Sequence, residues 1–236
     1  MERRFPVGAE PLNGGVSFRV WAPDHDKVEL VADGRRISMH REAEGYWTAF
    51  VPGMAAGTRY QFALNADLTL PDPVSRFQPL GANGPSMVVD PVTFQWTDTR
   101  WTGPLREAVY YELHIGTFTP EGTFAAAAKK LQWLKDLGVT VIEIMPLNTC
   151  AGSFGWGYDG ILLFAPMASY GDPDDVRRFV DQAHALGLGV IHDVVYNHFG
   201  PGEICPHFAQ DYYSQRPANE WGKSINFDGP NSGPVR

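Results

Sequence analysis

One apolar run that ends in polar residues decides the fold of the second half of the chain: Leu188-Gly189-Val190-Ile191-His192-Asp193-Val194-Val195-Tyr196-Asn197-His198. Residues 188–195 have the composition of a parallel strand that is buried on both faces. An acid, an amide and an imidazole stand at its carboxyl end, where parallel α/β folds build their sites. The run predicts a buried strand that delivers Asp193, Asn197 and His198 to a site. In the alternative, the acid and the amide hold loop backbone and the imidazole belongs to the core.

The same pattern of strand and helix extends toward the amino terminus. Two earlier runs, 109–115 and 139–145, are also predicted as strands, and two helices separate the three strands. Thr123 is expected to cap a helix that runs through Leu137, and Asp172 to cap one that ends near Gly187. Parallel strands joined by helices occur in open doubly wound sheets and in closed (β/α)8 barrels, and periodicity does not choose between the two.

The first hundred residues have a different pattern of predicted secondary structure. Short β-type segments separated by turns predict an antiparallel sandwich, and they span 16–21, 28–31, 46–51 and 59–64. A connector at 96–104 leads to the predicted boundary, which divides the chain into domains 1–101 and 102–236. The stretch 196–236, rich in Gly, Pro, Asn and aromatic residues, is predicted as the start of an insert after the third strand.

Composition limits the classes of partner. The chain has 236 residues and a net charge of −8, the wrong sign for nucleic acid or anionic lipid. It contains no apolar run of signal-peptide or membrane-span length. Cys150 and Cys205 lie far apart without CxxC spacing, which argues against a disulfide framework and a zinc site. We therefore expect a cytoplasmic protein with neither a nucleic-acid nor a membrane partner.

A second candidate cluster is Trp156-Gly157-Tyr158-Asp159-Gly160, which follows the second strand. Aromatic faces stack on sugar rings and carboxylates accept hydrogen bonds from hydroxyls, so the cluster is suited to a carbohydrate. The alternative is a glycine-rich turn with buried aromatic residues. Metal binding is not expected near Asp193, since it and His192 should point to opposite faces of the strand. No phosphate-loop motif is present.

The hexapeptide 193–198 resembles the first signature region of the alpha-amylase superfamily of glycoside hydrolases. This resemblance implies a closed barrel. The segment 20–23 is similar to the early-set domains that precede the barrel in some members. The fold class expected is thus an N-terminal immunoglobulin-like β-sandwich followed by about three βα units of a (β/α)8 TIM barrel.

Three longer strings, 72–79, 111–124 and 225–230, resemble the trehalose-releasing members of the superfamily. They imply a maltooligosaccharide-type substrate, maltooligosyltrehalose, whose alpha-1,4 bond next to the terminal trehalose is hydrolysed with retention. A glucan-branching enzyme and a non-catalytic glucan-binding module are the alternatives. The stretch 200–206 departs from the sequence expected of the superfamily at that place.

The resemblance also implies roles for individual residues. Tyr158 is expected to stack on the glucose at the cleavage subsite, Asp159 and His198 to bond its hydroxyls, and Asp193 and Asn197 to shape the pocket floor. Neither a metal nor a cofactor is expected. The catalytic carboxylates of the superfamily lie on later strands, so we expect the nucleophile and the acid beyond Arg236. We therefore expect residues 1–236 to be inactive by themselves. Because about three strands cannot close a barrel, we also expect the isolated barrel portion to be poorly stable.

Overall fold

A computed structural model describes residues 3–65, 68–99, 101–103 and 107–236. The first part is a sandwich of two antiparallel sheets, with strand orders β1-β2-β6-β5 and β4-β3-β7-β8; β9 also pairs with β7. Its strands are β1 (Gly8–Leu12), β2 (Gly15–Trp21), β3 (Val28–Ala32), β4 (Arg35–Ser38), β5 (His40–Arg41), β6 (Tyr46–Pro52), β7 (Arg59–Leu64), β8 (Leu68–Leu70) and β9 (Ser86–Met87).

The sandwich core forms where the alternating apolar residues of the two sheets meet. Phe18 on β2 and Phe62 on β7 are fully buried, and the ring of Phe18 lies 4.9 Å from that of Tyr60, edge to face. The four predicted strands correspond to β2, β3, β6 and β7. Ala63 on β7 is buried as well.

The second part alternates strands and helices. Its elements are β10 (Tyr110–Leu113), α1 (Ile115–Phe118), α2 (Phe124–Ala128), α3 (Leu131–Asp136), β11 (Val141–Ile144), β12 (Asn148–Thr149), β13 (Leu162–Pro166), α4 (Pro173–Ala185), β14 (Gly189–His192) and α5 (Cys205–Phe208); short 3-10 turns span Ala43–Gly45, Ala168–Tyr170 and Gln210–Tyr212. Strands β10, β11 and β14 form a parallel sheet in that order, which confirms the three predicted strands.

The helix boundaries follow local chemistry. The side chain of Asp172 accepts hydrogen bonds from the amides of Asp174 and Asp175, so α4 begins at Pro173 as predicted. The single helix predicted from Thr123 to Leu137 is wrong: it is divided between α2 and α3. The amides of Lys129 and Lys130 bond three residues back, at 3.2 and 2.9 Å, so the turn between the helices is tight.

The third strand is also shorter than predicted, since β14 ends at His192. Beyond it the chain leaves the parallel sheet and packs on the sandwich. The ring of Phe208 lies 6.2 Å from that of Phe62, and Tyr212 lies 5.4 Å from Trp21, both edge to face. Residues of the predicted insert therefore complete the sandwich core, while the boundary at residue 102 stays a prediction.

The connector is fixed to the second part through α4. The carboxylate of Asp181 accepts hydrogen bonds from the amides of Thr97 and Asp98, at 2.7 and 3.1 Å. The carboxylate of Asp98 lies 2.6 Å from Nδ1 of His184, whose ring stacks on Trp101.

Within the described ranges, no helix has the length and apolar character needed to cross a bilayer.

Candidate functional site

The carboxyl ends of the three parallel strands form one edge. Leu113, Ile144 and His192 are partners in the strand register, so the residues that follow them leave the sheet side by side. The amide of Asp193 still donates to the carbonyl of Ile144 at 3.0 Å. The chain therefore delivers Asp193 to the same edge from which the loop after β11 departs.

The loop after β11 returns to that edge at a glycine. Gly157 has a φ of +87°, and a Cβ at this position would lie 2.0 Å from the carbonyl oxygen of Pro146, just beyond the end of β11. Only a residue without a side chain allows this approach. The contact holds the candidate aromatic cluster at the strand end, with Trp156 70% exposed and Tyr158 45% exposed. The alternative of buried aromatic residues in this turn is therefore wrong for both.

A second glycine contact joins this loop to the one that follows β14. The amide of Gly200 donates to the carbonyl of Gly160 at 2.8 Å. A Cβ on Gly200 would lie 2.0 Å from the carbonyl oxygen of Asp159. The structure thus brings the backbone of Asp159 against a residue two positions after His198.

The segment that carries Asn197 and His198 is held from its other side. His198 forms an isolated antiparallel bridge with Ser224, and the amide of Ile225 donates to the carbonyl of Asn197 at 3.3 Å. Nδ1 of His198 is buried and has no hydrogen-bond partner among the described residues. The segment is thus held by backbone contacts on both sides, and the imidazole of His198 is half-buried.

Sequence reasoning did not assign a role to His114, which follows β10 directly. Its Nε2 lies 2.9 Å from the carbonyl oxygen of Gly155 and 3.0 Å from the hydroxyl of Tyr170. Its ring stacks on Trp156, with centroids 6.2 Å apart. His114 therefore positions the aromatic loop. It could have been found from the sequence in the same way as Asp193, because it too is a polar residue directly after a parallel strand.

Cys150 directly follows β12 and is buried. The pKa of the Cys150 thiol is raised, first by burial and second by the charge of Asp159. Among the described residues, no group of three or more His, Cys, Asp or Glu side chains is arranged to hold a metal ion. The edge presents exposed aromatic faces, a carboxylate and an imidazole, a set of groups that binds neutral, hydroxyl-rich ligands.

Two families match the chain. Residues 88–230 match the catalytic domain of the alpha amylases, and residues 6–73 match carbohydrate-binding module 48, the isoamylase N-terminal domain.

Named relatives agree with these matches. Malto-oligosyltrehalose trehalohydrolases of a Rhizobium species and of Saccharolobus solfataricus are each 46% identical, over 97% and 94% of this chain and 40% of their own length. A 1,4-alpha-glucan branching enzyme of Aliivibrio fischeri is 35% identical over 78% of this chain and 29% of its own length. The chain thus spans about 40% of the length of the trehalohydrolases that it matches.

Solved structures share the fold. A structure described as an alpha amylase of Salmonella typhimurium superposes with a TM-score of 0.93 at 45% identity, over 97% of this chain and 40% of that one. A pullulanase of Bacillus acidopullulyticus superposes with a TM-score of 0.78 at 22% identity, over 96% of this chain and 35% of its own. The second likeness concerns the fold alone.

Proposed function

The chain belongs to the alpha-amylase family of glycoside hydrolases, and on that premise we propose that the protein to which it belongs hydrolyses the alpha-1,4 bond next to the terminal trehalose of maltooligosyltrehalose. The products are trehalose and a shortened maltodextrin. The observation that carries this proposal is the 46% identity to trehalohydrolases over nearly the whole chain, against 35% over 78% for the branching enzyme.

The geometry supports a role for this chain in holding the sugar. In the proposed complex Tyr158 stacks on the glucose at the cleavage subsite, and Asp159 and His198 bond its hydroxyls. The exposed ring of Tyr158 and the exposed position of Asp159 support these roles. Asp193 and Asn197 shape the floor of the pocket; Asp193 lies at the strand edge, where its amide donates to the carbonyl of Ile144.

The reaction needs two carboxylates that these sugar-binding residues do not replace. In a retaining glycosidase one attacks the anomeric carbon and the other protonates the leaving oxygen, about 5–5.5 Å away. We assign neither role within residues 1–236, and propose that both groups belong to the length of the relatives that this chain does not cover. The residues of this chain orient the ring. In this proposal the sugar-binding residues of this chain act without a metal or a cofactor.

We also propose that the protein is located in the cytoplasm. Cys150 and Cys205 are free thiols, both buried, as suits a reducing compartment.

Product analysis tests the proposal. The protein expressed from the complete reading frame is incubated with maltooligosyltrehalose and, separately, with amylose. Trehalose from the first substrate and no new alpha-1,6 branches in the second are expected. New branches without trehalose would instead assign the protein to the branching enzymes, and glucan binding without turnover would make it a binding module, the role suggested by the match of residues 6–73.

A further inference from the structure

Segment 224–226 lies between two other stretches of the chain that follows β14. On one side it pairs with residues 197–198, through the bridge and the backbone hydrogen bond described above. On the other side it pairs with residues 212–214, where the amide of Ser214 donates to the carbonyl of Ser224 at 2.9 Å. The position of residues 197–198 therefore depends on how firmly segment 224–226 is held.

The stretch on the far side of segment 224–226 is fixed to the sandwich. The buried ring of Tyr212 packs edge to face on Trp21, with centroids 5.4 Å apart. The amide of Gln210 donates to the carboxylate of Asp24, on the loop after β2, at 3.1 Å. The sandwich thus provides a support to which segment 224–226 is attached.

The side chain of Asn226 makes this attachment. It is 2% exposed, and its Nδ2 donates to the carbonyls of Asp211 and Pro230, at 3.0 and 2.8 Å. Its Oδ1 accepts a hydrogen bond from the amide of Gly229 at 2.9 Å. The backbone amide of Asn226 also donates to the carbonyl of Tyr212 at 3.0 Å. One residue thereby joins the middle stretch to the stretch that packs on the sandwich, and also closes the turn that follows.

The chemistry of an amide is what this position requires. Two carbonyl oxygens need donors and one backbone amide needs an acceptor, and the carboxamide of asparagine supplies both kinds of group at the end of a short side chain. A Cβ on Gly229 would lie 2.7 Å from Oδ1 of Asn226, so the turn also needs a residue without a side chain. These contacts account for the asparagine and the glycine in the string 225–230, to which the proposed function assigns no role.

We propose that Asn226 is a positioning residue for the sugar-binding site. Its amide holds segment 224–226 against the stretch that packs on the sandwich, and segment 224–226 in turn sets the position of His198. Asn226 does not touch the sugar. This inference rests on the proposed function in that His198 bonds a hydroxyl of the glucose.

Asn226→Asp tests this role through the hydrogen atoms that it removes. An ionised carboxylate would face two carbonyl oxygens without a proton to donate, whereas the neutral acid can donate to one of them and still accept from Gly229. Burial favours the neutral acid, so the pKa of the new carboxyl should lie above its ordinary value. The function of this variant should therefore recover as pH falls.

Other titratable groups lie on the stretches around this position: His198, Asp211, Tyr212, Tyr213 and Asp228. The carboxylate of Asp211 accepts a hydrogen bond from Asn231, and that of Asp228 pairs with Arg216. All of these groups are also present in the unsubstituted protein. The ratio of the two affinities at each pH therefore isolates the new carboxyl.

Equilibrium titration with maltotriose, at about pH 8 and about pH 5, measures this ratio in the folded protein from the complete reading frame. Asn226→Asp should bind at least about tenfold more weakly than the unsubstituted protein at the higher pH, and within about threefold of it at the lower. Circular dichroism establishes that each sample is folded. A merely structural role would change the folded fraction and leave the affinity of the folded protein as it was.

Gln78→Glu is the matched control, because it makes the same change at a buried amide of the sandwich. One end of the amide of Gln78 lies 2.9 and 3.3 Å from the carbonyl oxygens of Pro85 and Gly84. This variant should lose stability, yet its folded form should bind maltotriose as the unsubstituted protein does. An equal loss of affinity in Gln78→Glu would overturn the proposal. Unchanged affinity in Asn226→Asp, or a loss that does not recover at about pH 5, would also overturn it.

If Asn226→Asp does not fold at the higher pH, Gly229→Ala decides. Its methyl group displaces the same amide and should weaken maltotriose binding by about fivefold or more, whereas Gly233→Ala, with no atom within 4 Å of the added methyl, should not. Equal affinities would overturn the role of Asn226. The two proposals fail separately: trehalose release without these losses overturns only the role of Asn226, and these losses in a protein that forms no trehalose overturn only the proposed function.

Discussion

The amide of Gly200 donates a 2.8 Å hydrogen bond to the carbonyl of Gly160, and this contact joins the loops that follow β11 and β14. Each loop carries groups proposed to bind the glucose ring, Tyr158 and Asp159 on one and His198 on the other. The relative position of these groups is thus set by backbone packing between two glycines.

Gly200→Ala is expected to separate the two loops. Its Cβ would lie 2.0 Å from the carbonyl oxygen of Asp159, a backbone atom that cannot give way without moving the loop. We expect the affinity for maltotriose to fall by about tenfold or more, measured by equilibrium titration. Gly233→Ala is the control, because no atom lies within 4 Å of the added methyl group. Equal affinities in the two variants would contradict the importance of the contact.

Phe208 is expected to stabilise the packing of the chain after β14 on the sandwich. Its side chain is fully buried and lies edge to face with Phe62. Phe208→Ala should lower the free energy of unfolding by about 3–5 kcal/mol, measured by urea denaturation. Phe154→Ala, at a 95% exposed position, should change it by less than about 0.5 kcal/mol. If the two variants unfold at the same urea concentration, the packing of Phe208 on the sandwich does not stabilise the fold.

Asp72 is expected to make the stability of the sandwich depend on pH. The carboxyl is fully buried, and burial raises its pKa, although it accepts hydrogen bonds from the hydroxyl of Tyr60 at 2.7 Å and the amide of Val74 at 2.9 Å. A raised folded-state pKa means that the folded protein holds this proton more tightly than the unfolded chain does. The stabilisation is present at low pH and is lost as pH rises through the raised pKa.

The comparison with Asp72→Asn isolates this effect, since the other groups titrate in both proteins. From about pH 4 upward, the free energy of unfolding of the unsubstituted protein should fall relative to that of the variant. Urea denaturation at a series of pH values measures the difference. If the free energy of unfolding of the unsubstituted protein stays constant or rises relative to that of the variant as pH increases, the pKa of Asp72 is not raised in the folded state.

The two thiols are expected to be unreactive in the folded chain. Cys150 and Cys205 are buried, and burial raises the pKa of both, so the thiolate that attacks a disulfide reagent is scarce at neutral pH. Dithionitrobenzoate should label neither thiol on mixing and both in denaturant. Rapid labelling of Cys205 in the folded protein would mean that the packing of α5 on the sandwich opens readily.

The alternation of strands and helices was predictable because caps and apolar runs are local signals. Asp172, Pro173 and Gly187 marked the limits of α4, and the resemblance of residues 193–198 to the alpha-amylase superfamily is confirmed by the match of residues 88–230. The break between α2 and α3 was not predictable in this way, since the residues on both sides of Lys129 and Lys130 favour a helix.

The docking of the chain after β14 on the sandwich depends on contacts between distant residues, which no periodicity reveals. The stretch 200–206, which departs from the expected sequence of the superfamily, holds the Gly200 contact at one end and the buried Cys205 near the other. The Sγ of Cys205 lies 3.9 Å from the carbonyl oxygen of Pro73, which is 132 residues away in the sequence. The candidate residues were found from the strand ends, but the glycine contacts that join them required the structure.

The kinetics of trehalose release in Tyr158 variants test the central claim most directly. In the protein from the complete reading frame, Tyr158→Ala should lower kcat/KM for maltooligosyltrehalose by about a hundredfold, and Tyr158→Phe, which keeps the stacking face, by less than about fivefold. Tyr110→Ala, an exposed tyrosine at the amino end of β10, is the control. Trehalose as the product with this order of rates is the predicted result. Branched glucan as the product, or equal rates for Tyr158→Ala and the unsubstituted protein, would contradict the account.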